Sequence, residues 1–429
     1  MKFVNVLFVV LLYCTHLSAQ VTLPNNLYFT HIGVEDGLCQ NTVCCILQDH
    51  LGFIWLGTKD GLTRYDGYRF RVFKHDAADP MSIGNNFIRV LYEDADGLIW
   101  IGTNVGVYIY NPETENFRKF DVATERGDVI SREVSSIKCD SSGDLWIGVN
   151  WQGVFRYDRR DESLELYEPV PGDTTSLSSV HVWDLCFDGD GNLWVGSQNG
   201  GLDRYDRETD RFVRHRLKGL SDVSRIVLDK QNQLLLGTMK DGLFSFNPYM
   251  GTCQPLLLDS GHKDLFVRAI FVRNSREVVV GTENGIYIYD CVTRKTRHVN
   301  QELGNPYSLS CKAVYSIYCD KEGALWIGTY FGGVNYLPPS SSLIFDKFYP
   351  IGHSDRLSGK AVREFVRDES GIIWIGTEDQ GLNRFDPVSG KFTHYNSRNS
   401  GLSCDNVHGL CVDGDRLYIG TFFGGFNIM

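Results

Sequence analysis

Short apolar stretches alternate along the chain with clusters of Asp, Asn, Gly and Ser, and one arrangement keeps returning. Its centre reads Trp55-Leu56-Gly57-Thr58, then Trp100-Ile101-Gly102-Thr103, Trp146-Ile147-Gly148-Val149 and Trp194-Val195-Gly196-Ser197. It continues as Leu235-Leu236-Gly237-Thr238, Val279-Val280-Gly281-Thr282, Trp326-Ile327-Gly328-Thr329, Trp374-Ile375-Gly376-Thr377 and Tyr418-Ile419-Gly420-Thr421. The central glycines of these nine units lie 45, 46, 48, 41, 44, 47, 48 and 44 residues apart. That period suits propeller blades and is too long for leucine-rich or ankyrin units.

Each unit predicts four antiparallel strands. An apolar strand such as Val43 to Leu47 meets an Asp-x-x-Gly turn, as at Asp49 to Gly52, Asp94 to Gly97, Asp140 to Gly143, Asp320 to Gly323 and Asp368 to Gly371. Asp can bond its own backbone two residues on, and Gly accepts positive φ, so the chain reverses there. The Trp strand follows, then a hairpin and a third strand such as Gly61 to Asp66, Gly153 to Asp158 or Gly381 to Asp386. Phe117 to Phe120, Phe212 to His215 and Phe392 to Tyr395 read as fourth strands. One blade cannot bury both faces alone, so neighbours must stack radially.

Phe29-Thr30-His31-Ile32 reads like Phe392-Thr393-His394-Tyr395, a fourth strand without its own three predecessors. It therefore completes a blade whose other strands come later, latching a ring. After the seventh unit, Leu337-Pro338-Pro339-Ser340-Ser341-Ser342 replaces the usual connection, and proline offers no ladder donor. Ile344 to Tyr349 then reads as another orphan fourth strand. The expected fold is all-β: a β-propeller of seven four-stranded blades over 20–337 closed by the N-terminal strand, a linker at 338–342, and the first two blades of a second propeller over 343–429. One nine-bladed ring latched by the same strand is the alternative. Two unpartnered blades leave an open edge, which leads to the expectation of a fragment of a longer protein.

Composition narrows the class. Gly numbers 44 and the aromatics comprise 8 Trp, 21 Tyr and 25 Phe, against 12 Pro and 22% charged residues, which excludes disorder, collagen and coiled coil. The net charge of −11, without a cluster of basic residues, argues against nucleic acid as a partner. Lys2 followed by the apolar run Phe3 to Tyr13 and by Leu17-Ser18-Ala19 reads as an export signal over 1–19, an uncleaved anchor being the alternative. Any membrane tether is expected only there or beyond residue 429. Twelve cysteines, eleven after the signal, include no CxxC pair and no zinc-type spacing. Cys45, Cys139, Cys186, Cys319 and Cys411 each precede the Asp turn, where they read as small hydrophobes rather than as a disulfide framework.

Enzyme chemistry finds little footing. The Asp turns superficially resemble sialidase Asp-boxes, but their recurrence marks them as turns beside a packed Trp. Asp188-Gly189-Asp190-Gly191-Asn192 starts like a calcium loop, yet Leu193 and Asn199 stand where Gly and Glu are needed. No GxSxG, HExxH or phosphate-cradling loop occurs, and neither a catalytic group, a metal site nor a cofactor is expected. Positions that vary within a constant frame remain for binding. Five residues before each Asp turn stand Cys44, Arg89, Ser135, Trp183, Ser224, Arg268, Tyr315, Arg363 and His408, a slot that faces the central channel if that strand is innermost. The hairpin after the Trp strand adds Lys59, Asn150, Trp151, Gln152, Tyr330 and Phe331. Aromatic faces beside Arg and amide groups suit an anionic or neutral carbohydrate. The candidate ligand residues are Arg89, Trp151, Trp183, Arg268, Tyr315, Tyr330 and Phe331, with Trp151 favoured because it lies outside the core Trp slot.

The unit Asp-x-x-Gly-x-x-Trp-Ile-Gly-Thr followed by Gly-Leu-x-Arg-Tyr-Asp resembles the two-component regulator propeller repeat. Thr329 to Tyr336 and Asn406 to Asp415 are similar to stretches of the extracytoplasmic sensors of hybrid two-component systems, and the resemblance runs from Asn26 to Met429. It implies two seven-bladed propellers, a small β-sandwich, a membrane helix, a histidine kinase, a receiver and a DNA-binding module, with glycan breakdown products as the signal. Of these parts the chain carries the first propeller and the start of the second. The expectation is a periplasmic sensor region that is no enzyme itself, takes an oligosaccharide ligand, and dimerises within its full-length receptor. A secreted propeller lyase or hydrolase and a protein-interaction scaffold are the alternatives.

Overall fold

A computed structural model describes residues 22–24, 26–217, 220, 222–257, 265–339, 347–350 and 356–429. The expected export signal at 1–19, positions 340–342 of the expected linker, and Ile344 to Asp346 of the expected orphan strand lie outside the described residues.

Two compact units separate, one of residues 1–301 and 307–343, the other of residues 302–306 and 344–429. Among the described residues the first holds seven four-stranded antiparallel sheets. Their first strands are Val43–Gln48, Ile88–Glu93, Val134–Cys139, Val182–Phe187, Arg225–Leu228, Val267–Val272 and Val314–Cys319. Each touches the next, and the last touches the first, so they line the centre of a closed ring. The blades are numbered here in that order.

Blade 7 is completed from the far end of the chain. Thr30–Ile32 pairs antiparallel with Val334–Leu337, matching Thr30 to Tyr336, His31 to Asn335 and Ile32 to Val334. Phe29, 2% exposed, joins Leu309, Val314 and Ile327 in one apolar cluster, which anchors the latch by burial as well as by ladder bonds.

The repeated residues make the blade. In blade 1 the Asp49 carboxylate accepts the Phe53 amide (2.9 Å) through Oδ1 and the Trp55 indole N–H (2.8 Å) through Oδ2. The same Asp–Trp bond joins Asp94 to Trp100, Asp140 to Trp146, Asp188 to Trp194, Asp320 to Trp326 and Asp368 to Trp374. A turn and a buried ring are thereby tied into one piece, which satisfies an indole donor that burial would otherwise strand. Asp188 to Asn192 is such a turn: Asp188 Oδ1 accepts the Asn192 amide at 2.9 Å. The Thr after the repeat glycine closes the following hairpin, Thr58 Oγ1 donating to the Gly61 carbonyl at 2.8 Å.

The repeat glycine itself sets the spacing between blades. A Cβ built on Gly57 would stand 2.7 Å from Ile88 of blade 2, on Gly102 2.6 Å from Val134 of blade 3, and on Gly281 2.6 Å from Val314 of blade 7. The glycine backbone therefore packs directly against a branched side chain of the next blade.

In the second unit Val362–Arg367, Ile373–Thr377, Leu382–Asp386 and Lys391–Tyr395 form one sheet, and Val407–Asp413, Arg416–Thr421 and Gly425–Ile428 a three-stranded one. The described end of the expected orphan strand, 347–349, is not a strand; Phe348 packs its ring on Phe385 instead, at 4.9 Å.

The eleven described cysteines are free thiols. Cys45, Cys139, Cys186 and Cys319 pack in apolar clusters between blades, whereas Cys411 is exposed.

Candidate functional site

The variable slot five residues before the Asp turn has a structural cause. In the first strand of blade 1, Val43 pairs with Thr58 and Cys45 with Gly57, so Cys44 is left over as a β-bulge. The same slip isolates Arg89, Ser135, Trp183, Arg268 and Tyr315 in the ring, and Arg363 and His408 in the second unit. A bulge frees one residue from the ladder and re-aims its side chain. Ser224 of blade 5 is the exception: it precedes its strand and is buried, donating to the Val267 carbonyl at 2.8 Å.

The hairpin residue fifteen positions later comes back beside the bulge. Arg89 Nε donates to Asn104 Oδ1 (2.8 Å), Arg268 pairs with Glu283 (2.6 Å), and the rings of Tyr315 and Tyr330 lie 5.1 Å apart. The frame is backbone: the amides of Lys59, Asn150, Gln198, Glu283 and Tyr330 donate to the carbonyls of Thr42, Glu133, His181, Phe266 and Ala313, each two residues before its bulge.

These positions join into a chain of contacts across the ring. Arg89 lies over the Phe87 ring (4.2 Å), and Lys59 Nζ stands 5.7 Å from that ring and 4.2 Å from Tyr330. Tyr330 meets Tyr315, whose ring Arg268 covers at 4.6 Å; Arg268 also covers Phe266 at 3.8 Å, and Phe266 lies 6.2 Å from Trp183. The Phe331 ring lies 4.1 Å from that of Tyr330, tilted by 59°, and Phe331 is 68% exposed. Six of the seven predicted residues thus belong to one network, and the indole N–H of Trp183 has no acceptor among the described residues.

Trp151 stands apart from that network, on blade 3. Its ring is 66% exposed and sits edge-on to His181 of blade 4 at 4.1 Å. The backbone there has φ of +71°, a genuine outlier for so bulky a residue. It is held by the Trp151 amide donating to the Val180 carbonyl (2.9 Å) and by Gln152, whose side chain accepts the amides of Ser131 and Arg132. Such strain persists only where the surroundings over-determine it. Trp151 and Phe331 occupy equivalent places, one residue past the hairpin position. Asn150 ties Trp151 toward the network: its amide meets the carbonyl of Glu133, whose carboxylate pairs with Arg89 at 2.8 Å.

Charge is mostly paired. Glu133 serves Arg89 and Glu283 serves Arg268. Burial pushes the Cys44 thiol up to about 11, although Arg89, Lys59 and Arg268 all pull it the other way. That thiol is therefore protonated at neutral pH and a poor nucleophile. Among the described residues no group of three His, Cys, Asp or Glu side chains could hold a metal ion.

Phe87, Glu133, His181 and Phe266 are absent from the sequence-derived candidates. They share a signal: each stands two residues before a bulge, immediately ahead of the strand that carries it. Arg225 was also missed, because blade 5 lacks the regular bulge; its Nε donates to the Arg268 carbonyl at 2.6 Å.

Residues 37–60, 82–105, 176–199 and 308–331 match the family described as two component regulator propeller. A 59-residue segment is 39% identical to a histidine kinase P4 of Formosa agariphila, covering 14% of this chain and 4% of that protein. Over 94% of its length the chain aligns with a crystal structure of the extracellular domain of the hybrid two component system BT3049 from B. thetaiotaomicron, at 27% identity and a TM-score of 0.76, covering 53% of that structure. The extracellular domain of BT4673 from the same organism aligns over 94% of the chain and 58% of its own length, at 20% identity and a TM-score of 0.64, a likeness of fold. The chain spans about half the length of these two extracellular domains. It thus carries two-component regulator propeller repeats and is similar along nearly all its length to extracellular domains of hybrid two-component systems. The matched residues are propeller, and no catalytic domain lies among them. No helix among the described residues is long and apolar enough to cross a membrane.

Proposed function

We propose that this chain is a ligand-sensing propeller region of a hybrid two-component receptor, stationed in the periplasm, and that it recognises oligosaccharides released from complex glycans. The observation that carries the reading is the network from Arg89 through Lys59, Tyr330, Tyr315 and Arg268 to Trp183, built on bulges at the centre of a closed ring. Aromatic faces stack on sugar rings, and paired arginines and amides orient hydroxyls by hydrogen bonds. Rigid strands hold these groups before the ligand arrives, which lowers the ordering cost of binding. In the full-length receptor, binding would bias one arrangement of a receptor dimer over another and signal to a kinase outside this chain.

Calorimetric titration of the chain against a panel of oligosaccharides, with reducing ends monitored in the same samples, tests this. Saturable heat without new reducing ends is the expected result. New reducing ends would make the chain an enzyme, and silence in both would favour a protein-interaction scaffold. If Arg268→Ala and Trp151→Ala both bind as tightly as the parent, the site lies elsewhere.

A further inference from the structure

The cations at the ring centre outnumber the carboxylates that serve them. Arg89 has Glu133 and Arg268 has Glu283, both within 2.8 Å. Arg225 is held by the carbonyls of Arg268 (2.6 Å) and Ser224 (3.0 Å), with Asp184 the nearby opposite charge. Asp184 is itself engaged, its carboxylate accepting the Ser136 hydroxyl (2.9 Å) and the Ile226 amide (3.0 Å).

Among the described residues Lys59 has no such partner. Its ammonium lies against the faces of Tyr330 and Phe87 and makes no ion pair among the described residues, although its neighbour Asp60 pairs with Lys74 at 2.5 Å. A ring face offsets part of the cost of removing a cation from water, but it leaves the three N–H donors of an ammonium largely unused. The charges of Lys59, Arg89 and Arg268 all act on the Cys44 thiol, and those of Arg89 and Arg268 also on Arg225. Among the described residues four cations therefore share one neighbourhood with three carboxylates, in a chain whose net charge is −11. A local positive excess in a molecule that is acidic overall attracts anions that reach it.

Resting on the oligosaccharide reading above, we infer that the ligand is an acidic saccharide, bearing carboxylate or sulfate, and that Lys59 holds its anionic group between Tyr330 and Phe87. Tyr315, Tyr330 and Phe331 supply the apolar face for the sugar ring beside that anion. The Lys59 amide, donating to the Thr42 carbonyl at 3.2 Å, and the Thr42 hydroxyl, donating to the Tyr330 carbonyl, fix the lysine stem against the aromatic that flanks it. Lys59 thus distinguishes charge, while the rings recognise the sugar.

The test titrates the full chain with oligogalacturonides, chondroitin sulfate disaccharides, neutral galacto-oligosaccharides and inorganic sulfate, at two salt concentrations. The expected result is that one acidic saccharide binds at least about tenfold tighter than its neutral counterpart, a difference of about 1.4 kcal/mol, and weakens with salt. Lys59→Met should lose that preference about tenfold, and Lys59→Arg should keep most of it, with thermal melts of both variants showing intact folding. Equal binding of acidic and neutral sugars, unchanged in Lys59→Met, overturns the charge assignment and leaves the oligosaccharide reading standing. Binding of inorganic sulfate with no saccharide bound overturns both.

Discussion

Gly328 of blade 7 faces Val43 of blade 1 so closely that a Cβ on the glycine would stand 2.8 Å from the valine side chain and the same distance from its carbonyl oxygen. This contact is where the ring closes. The first strands of blades 7 and 1 also touch there, and the Thr30–Ile32 latch completes blade 7.

Alanine at Gly328 must push blade 1 away from blade 7. Overpacking of this kind costs about 1–3 kcal/mol, and the urea midpoint of Gly328→Ala should fall accordingly, with an unchanged slope. A midpoint equal to the parent's would show that the ring closes more loosely.

Asp94 is a sharper case, because its buried carboxylate serves two neighbours. Oδ2 accepts the Trp100 indole at 2.8 Å and pairs with Arg159 of the next blade at 3.2 Å. Removing it strands a buried indole N–H and takes the acceptor from the Asp96 and Leu98 amides of the turn, while Arg159 keeps Asp96 at 2.6 Å, so Asp94→Ala should cost about 1–3 kcal/mol. Trp100→Phe, which keeps the ring's bulk and removes the donor, should cost clearly less. Thermal melts of the two variants decide this, and equal losses would contradict it.

Asp203 of blade 4 gives the protein a pH-dependent stability. Its side chain is fully buried, Oδ2 accepts the amide and hydroxyl of Ser178, and Oδ1 has no partner among the described residues. Burial pushes this carboxyl up to about 6, the Ser178 bonds pulling against it. A folded value above the unfolded one means that the native state binds the proton more tightly. This contribution is therefore fully present below the ordinary carboxylate range and is lost as pH rises through about 6. In the equivalent place of blade 7 stands Asn335, which accepts the Ser310 amide and donates to its hydroxyl. Asp203→Asn should accordingly stabilise the protein at pH 8 by about 1–3 kcal/mol and change little at pH 4. Denaturant midpoints at both pH values check it; a gain of equal size at both would point away from titration.

Trp151 separates binding from folding. Its ring is 66% exposed, and its main contact is the edge of His181. Trp151→Ala should move stability by no more than about 1 kcal/mol while weakening oligosaccharide binding by about tenfold or more, as loss of an exposed aromatic anchor does. Melting curves and calorimetry on the same preparation distinguish this from a structural role, in which both readings would fall together.

The repeat was plain in the residues because the contacts that make it are local. Asp49, Gly52, Trp55 and Thr58 bond within a few positions of one another, so the same letters must return wherever the same turn and hairpin return. The latch was legible too, since Phe29 to Ile32 had the pattern of a fourth strand and no strands of its own before it. The candidate site was half legible. A fixed place in the unit, holding Arg89, Trp183, Arg268 and Tyr315, stood out by its variation, but its cause did not. A bulge is a slip in pairing between strands, with no residue type that marks it.

Composition and period by themselves determined an all-β repeat array with blades of this size, because strand, turn and Asp–Trp tie are all encoded within one unit. Only the tertiary structure decided which blade meets which, that Lys59 lies between rings from blades 7 and 2, and that Arg225 joins Arg268. Those contacts link residues far apart along the chain, and their distances follow from the closure of the ring rather than from any local preference.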